Sequence, residues 1–353
     1  MKSSNREEEE ETNVRARITR LPSKALVDLW ETLIYDEPIP ARLLRYITRM
    51  MTLMKNPDLK QNIVNWNRLL LLHGPPGTGK TTLCRALAQK LAIRLGKYFT
   101  RSRLVELNSH LLLSKWFGES SKLVERLFEN VQTIADDDAT LVCVIIDEVE
   151  TLTVSRDKAA HGSECGDAMR ATNQLLTALD RLRGYSNVMV FCTSNLISTI
   201  DPAFLDRVDV KQHVPNPCRR ATYDILRSCL NELIRCGLVT NGESVENETG
   251  ETSNDEVSLL PVSGWELVDT PSIPTHTEMN VQYWNRPDSV PRKLWTICER
   301  CEGLSGRTLR RLPFLALALH TNDDHCNIQE ALTALSISVG EELHGSIKKD
   351  LGT

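Results

Sequence analysis

The sequence predicts an α/β fold in which a five-stranded parallel sheet is covered by helices and followed by a smaller helical domain. Three observations carry that expectation. An apolar run, Leu69-Leu70-Leu71-Leu72, passes directly into a glycine-rich loop, Gly74 to Thr81, and then into a helical pattern from Thr82 to Ala88. Farther on, near-continuous apolar segments such as Leu141-Val142-Cys143-Val144-Ile145-Ile146 alternate with helical periodicities, as strands buried on both faces do. After Val214-Pro215-Asn216-Pro217 the strand signals stop and amphipathic helices take over.

Residues 1–20 are polar and charged, with glutamate at every position from Glu7 to Glu11, and read as a disordered acidic N-terminus. From Ser23 to Met54 apolar residues recur at helical spacing (Leu26, Trp30, Leu33, then Leu43, Leu44, Ile47), a segment expected to pack beside the loop. Strands are expected at 68–73, 104–108, 141–147, 188–194 and 210–213, alternating with helices near 80–95, 120–135, 167–183 and 201–207. These form a first domain over 21–215. The helical domain spans 216–353, with Ile225, Leu226, Leu230, Leu233 and Ile234 on one stripe. Inside it, residues 240–291 hold Pro261, Pro271, Pro274, Pro287 and Pro291 among many polar residues and read as an inserted, partly disordered loop.

A chain of 353 residues with 25% charged side chains suits two or three packed units, and no apolar run approaches the roughly 20 residues that span a bilayer. The net charge of −5 speaks against a nucleic-acid-coating protein, and no direct nucleic-acid binding is expected. Cys143 and Cys192 sit in apolar strands, and Cys298-Glu299-Arg300-Cys301 lacks a second pair to complete a zinc site. Such usage suits a reducing compartment.

The loop Gly74-Pro75-Pro76-Gly77-Thr78-Gly79-Lys80-Thr81 has the spacing of a phosphate-binding loop in the strand–loop–helix context that gives the motif meaning. Its glycines let backbone N–H groups wrap a polyphosphate at a helix N-terminus. Lys80 would reach the β- and γ-phosphates of ATP, and the Thr81 hydroxyl would ligate Mg²⁺. The strand Val142 to Ile146 then ends on Asp147-Glu148. Asp147 would hold the metal and Glu148 would polarise the attacking water. One strand over, Asn195 in Thr193-Ser194-Asn195 offers a neutral amide to the same water, although this tripeptide also makes a good turn. Arg207, in Asp201-Pro202-Ala203-Phe204-Leu205-Asp206-Arg207-Val208-Asp209, lies too far along the chain to face its own phosphate; it is either an arginine finger for a neighbouring subunit or a surface residue paired with Asp206 or Asp209. Lys115-Trp116-Phe117-Gly118 places adjacent aromatics beside a glycine, suited to gripping a polypeptide or, for one of them, to anchoring the loop. Residues 155–167 form a second loop rich in small and charged residues.

Taken in order, these motifs resemble those of AAA+ ATPases. More narrowly the chain is similar to the pachytene checkpoint protein 2 family, also called thyroid receptor-interacting protein 13. The marks are Asn67 to His73, Asn108-Ser109-His110, Ser114 to Ser120, Asp206 to Gln212 and Glu302 to Phe314, over about residues 21–236 and 302–345. The resemblance implies an AAA+ P-loop NTPase with a helical lid and a homohexamer with ATP sites at subunit interfaces, in which Arg207 is the finger. Many AAA proteins have a second arginine earlier in that segment; here the position is Phe204. Arg307 matches the lid arginine that contacts the γ-phosphate, and Trp116 and Phe117 would line a central channel with residues 155–167 as a second channel loop. It further implies HORMA-domain proteins as partners, converted from closed to open form directly or through an adaptor, on chromosomes in the nucleus during meiosis and in the spindle checkpoint, with the cytoplasm as a second location. Members carry a substrate-recognition domain ahead of the ATPase, whereas about 20 polar residues precede the matching region here. Two other readings of the same residues are an ATP-gated scaffold with little turnover and a DNA- or clamp-loading ATPase.

Overall fold

The computed structural model describes residues 16–56, 58, 63, 66–109, 120–153, 164–240, 272–322 and 325–350. It divides between Asn216 and Pro217 into two compact units.

The first unit is built on one sheet. Its strands are β1 (Ala16–Leu21), β2 (Leu69–His73), β3 (Arg101–Asn108), β4 (Thr140–Asp147), β5 (Val188–Ser194) and β6 (Val210–His213), in the order β1-β3-β4-β5-β2-β6. The helices are α1 (Ile39–Leu53), α2 (Lys80–Arg94), α3 (Ser120–Ala135), α4 (Glu164–Leu182) and the one-turn α5 (Pro202–Asp206). Five strands run parallel, but the sheet has six: β1 pairs antiparallel with β3, Ile18 opposite Val105. The five parallel strands are those expected and the antiparallel β1 adds a sixth, so the expected disorder over 1–20 is corrected at residues 16–20. Only Ala16 and Leu21 of β1 are buried, so this edge strand carries a polar composition that hides it. Residues 1–15 lie outside the described residues.

Alternation along the parallel strands divides the core into two layers. Leu71, Val105, Val144 and Val190 point to one face, where Leu127, Phe128 and Val131 of α3 and Leu175 and Leu179 of α4 cover them. Leu70, Leu72, Cys143, Ile145 and Phe191 point to the other, against Leu43, Leu44 and Ile47 of α1 and Leu83, Leu87 and Leu91 of α2. Both faces are buried, which is why the strands read as continuous apolar runs. No helix among the described residues is long and apolar enough to cross a membrane.

The start of β2 is pinned by Asp209. Its carboxylate accepts from the Asn67 N–H at 3.1 Å and the Leu69 N–H at 2.9 Å, and its own N–H donates to the Leu69 carbonyl at 3.0 Å. Between them Arg68 sits at φ +61°, buried, with Nη1 donating to the Arg183 carbonyl at 2.8 Å. Burial outweighs these backbone bonds and lifts the Asp209 carboxyl above its usual range.

The second unit packs α6 (Arg219–Arg235), α7 (His276–Gln282), α8 (Val290–Arg300), α9 (Gly306–His320) and α10 (Ile328–Asp350), with β7 (Val239–Thr240) parallel to β8 (Cys326–Asn327). Leu226, Leu230, Leu294, Leu309, Leu312 and Leu335 fill its core. The expected insertion is shorter than 240–291. Thr240 belongs to β7, and from 272 the chain packs on α6, with Ile273 and Met279 buried. The Tyr223 hydroxyl donates to the Pro274 carbonyl at 3.0 Å, and Asn231 exchanges hydrogen bonds with the Ile273 backbone at 2.8 and 3.2 Å. A capping box between Thr275 and Glu278 then starts α7. Residues 241–271 lie outside the described residues.

Asp209→Ala leaves two backbone N–H groups without their acceptor beside a buried Arg68. It is expected to destabilise the protein by about 1–3 kcal/mol, read as a lowered urea midpoint.

Candidate active site

The carboxyl ends of β2, β4 and β5 meet at one edge of the sheet, where ligands bind in open α/β folds. His73 is in register with Ser194, and Ile146 with Cys192, so residues distant in sequence end side by side. The loop leaves β2 at Gly74, whose N–H donates to the Ser194 carbonyl at 3.2 Å. Gly74 has φ +146°, and a Cβ there would stand 2.2 Å from the Val214 carbonyl oxygen. Gly77 and Gly79 take φ of +77° and +87°, and α2 begins at the next residue. The Thr78 hydroxyl donates back to the Pro75 carbonyl at 3.0 Å, and the Tyr35 hydroxyl reaches the Thr78 carbonyl at 3.4 Å. The segment before β2 thus packs against the loop, as its apolar pattern predicts.

Lys80 is buried, and a buried ammonium must be matched by acceptors. Its Nζ donates to the Gly74 carbonyl at 2.8 Å, the Pro75 carbonyl at 2.7 Å and Asn195 Oδ1 at 2.8 Å. The Asn195 amide in turn reaches Glu148 Oε1 at 3.5 Å, and its backbone N–H donates to Glu150 Oε1 at 2.9 Å. Thr81 Oγ1 donates to Asp147 Oδ1 at 2.7 Å. Thr193 Oγ1 donates to the same carboxylate oxygen and accepts from the Glu148 N–H at 3.1 Å. Ser109 Oγ holds the Asp147 carbonyl. Glu148 itself adopts φ +53° and ψ +52°, turning its side chain sharply off the strand direction.

Gly74 to Thr81, Asp147, Glu148 and Asn195 are therefore one connected network. Sequence reasoning missed Thr193 and Ser109, which orient the acidic strand end, and Glu150, which anchors the Asn195 backbone. Thr193 and Glu150 lie two residues from predicted positions, a signal that spacing alone could have supplied. The thiol of Cys84, behind the loop, is pushed up first by burial and then by Asp147. Burial lowers the His73 imidazole, with His213 and Lys80 adding to the effect.

Hard oxygen donors converge at Thr81 and Asp147, and the described residues contain no cluster of three or more potential metal ligands. That donor set fits a cation such as Mg²⁺, which takes one or two protein oxygens and keeps water and phosphate as its other ligands.

Arg207 pairs with neither of its acidic sequence neighbours. Asp209 serves β2, and the guanidinium instead forms a two-pronged pair with Asp180 of α4, Nε to Oδ1 at 3.0 Å and Nη2 to Oδ2 at 2.9 Å. This pairing, more than any other contact, raises the Arg207 pKa. Arg307 is exposed in the first turn of α9 in the second unit, where Ser305 caps the helix by accepting from the Thr308 N–H at 3.2 Å. Trp116 and Phe117 lie outside the described residues, as do residues 154–163. The expected second channel loop is corrected at its end, because Glu164 already belongs to α4.

Residues 70–216 match the ATPase family associated with various cellular activities (AAA), and 218–343 match the TRIP13-like AAA+ ATPase lid C-terminal domain. The chain is 40% identical to the pachytene checkpoint protein 2 homolog of Homo sapiens over 340 residues, 96% of this chain and 72% of the relative. It belongs to the pachytene checkpoint protein 2 family. The homolog of Oryza sativa subsp. indica is 42% identical over 92% of this chain and 66% of its own length. The structure of C. elegans PCH-2 superposes with a TM-score of 0.73 at 34% identity, covering 93% of this chain and 76% of that one. The E. coli MS115-1 HORMA:CdnC:Trip13 complex shares the fold, with a TM-score of 0.57 at 16% identity over 90% of this chain and 93% of that one. As a member of this family of AAA ATPases, the chain is a nucleotide-binding enzyme that hydrolyses ATP.

Gly74→Ala places a methyl group against the Val214 carbonyl. It is expected to destabilise by roughly 1–3 kcal/mol and to reduce the thermal stabilisation that added ATP produces. An unchanged ATP-dependent shift in melting temperature would contradict this.

Proposed function

We propose that the chain is an ATP-driven protein remodeller that works as a homohexamer on HORMA-domain partners, directly or through an adaptor. The observation that carries the hydrolytic part is the hydrogen-bonded line Lys80–Asn195–Glu148, which ties a phosphate-loop lysine to a neutral amide and a carboxylate at one edge. Arriving phosphate would take over the acceptor role that the Gly74 and Pro75 carbonyls fill for Lys80, while loop N–H groups and the start of α2 bind the remaining oxygens. Asn195 and Glu148 would then orient the attacking water, with Glu148 polarising it. Thr81 and Asp147 would hold Mg²⁺, which neutralises developing phosphate charge.

Arg207 would complete the site of the neighbouring copy as its finger, and the engagement of its guanidinium by Asp180 rather than by its own phosphate loop supports action in trans. Arg307 would report the γ-phosphate to the lid. Trp116 and Phe117 would grip the threaded polypeptide. Family membership, together with the HORMA partner in the related E. coli complex, supports a HORMA-domain substrate and a place on meiotic chromosomes in the nucleus. The chain matches 66–72% of the length of the two relatives described, so engagement of substrate by this portion is itself part of the proposal.

The direct test is ATP turnover of the purified chain with and without a HORMA-domain protein from the same organism. Stimulation supports the partner, and unchanged turnover assigns recognition to an adaptor or another client. Glu148→Gln is expected to retain ATP and hold the oligomer together while hydrolysis falls by about 10²–10⁴-fold in a phosphate-release assay. Normal turnover would remove Glu148 from the chemistry. Trp116→Ala should cost partner conversion far more than it costs hydrolysis, and equal losses would dismiss the grip.

A further inference from the structure

We propose that Asp180, near the C-terminal end of α4, is the positioning residue for Arg207. The inference rests on the reading of Arg207 as the finger for the neighbouring site. Of the N–H bonds of the guanidinium, three are taken within its own chain: Nε and Nη2 by the Asp180 carboxylate, and Nη1 by the Ala203 carbonyl at 2.7 Å. Among the described residues no group takes the remaining two N–H bonds, and guanidinium N–H groups are the donors that meet phosphate oxygens. Asp180 thus grips the Nε–Nη2 side of the guanidinium and sets its plane.

The mount beneath the arginine is firm. Arg207 follows the single turn of α5, which Asp201 caps by accepting from the Ala203 N–H at 2.7 Å and which Phe204 anchors in the core. Two residues on, Asp209 fixes the chain to β2. A backbone held this well still leaves a long side chain free to rotate; the carboxylate on α4 removes that freedom. Asp180 is the outer partner, with its side chain 42% exposed against 27% for Arg207, so its removal opens no cavity. A surface pair of this kind adds little to stability, which separates a positioning role from a structural one.

Both carboxylate oxygens are needed for the fork, so a neutral amide, with one acceptor oxygen and a donor facing the guanidinium, cannot replace them. In the assembled full-length chain, Asp180→Asn and Asp180→Ala are expected to lower kcat by about 10²-fold, the loss that a misplacement of about an ångström produces. KM for ATP, the oligomeric state and the melting temperature should stay at wild-type values. Asp180→Glu, which keeps two anionic oxygens, should recover part of the rate. Combining Asp180→Ala with Arg207→Ala should be no worse than Arg207→Ala alone, because the two side chains act as one unit. Wild-type or raised kcat in Asp180→Asn, or losses that multiply in the double variant, overturns the proposal even if Arg207 is the finger. An Arg207→Ala protein that assembles and turns over normally removes the finger, and the proposal with it.

Discussion

The buried ammonium of Lys80 is the constraint from which the geometry of this sheet edge follows. A charge with 7% exposure is tolerated only where acceptors surround it, and the chain supplies two carbonyls of its own loop and the amide of Asn195. To present those carbonyls the loop must curl back over the start of α2, which requires left-handed glycines at Gly77 and Gly79. To present Asn195, β5 must end level with β2, which parallel pairing of His73 with Ser194 provides. The site is thus held in a closed hydrogen-bond ring by groups that bound phosphate can replace at little cost in reorganisation.

The same economy governs the acidic end of β4. Asp147 accepts from Thr81 and Thr193, hydroxyls from two other elements, and so is fixed in place by groups that a cation would not need to displace entirely. Glu148 is held by its backbone, through Thr193 and Ser109, while its side chain keeps a long 3.5 Å contact with Asn195. Thr81 and Thr193 thus fix the Asp147 carboxylate, and the Asn195 amide reaches that of Glu148, the two groups to which the proposed chemistry gives separate tasks.

Much of this was legible in the sequence because it is local. The loop, the Asp147-Glu148 strand end and the apolar strands each announce themselves within a few residues. What stayed hidden depends on tertiary pairing. Strand β1 has only two buried residues in six and neighbours a strand some 85 positions on, Ala16 opposite Leu107. The order from 272 onward depends on Asn231 and Tyr223 of another helix, and the many prolines there mask it. Asp180 sits 27 residues from Arg207 with nothing in its own neighbourhood to mark it, so proximity favoured Asp206 and Asp209 in the reading and geometry did not.

Glu148 and Arg68 are the non-glycine residues with positive φ among those described, and for Glu148 this has a consequence for directed evolution. A side chain in the left-handed region costs about 1–2 kcal/mol, which glycine does not pay. Glycine at this position would therefore relax the backbone and erase the carboxylate in a single step. A laboratory selection for heat resistance alone, blind to turnover, would be drawn toward discarding the group that the proposed chemistry needs most.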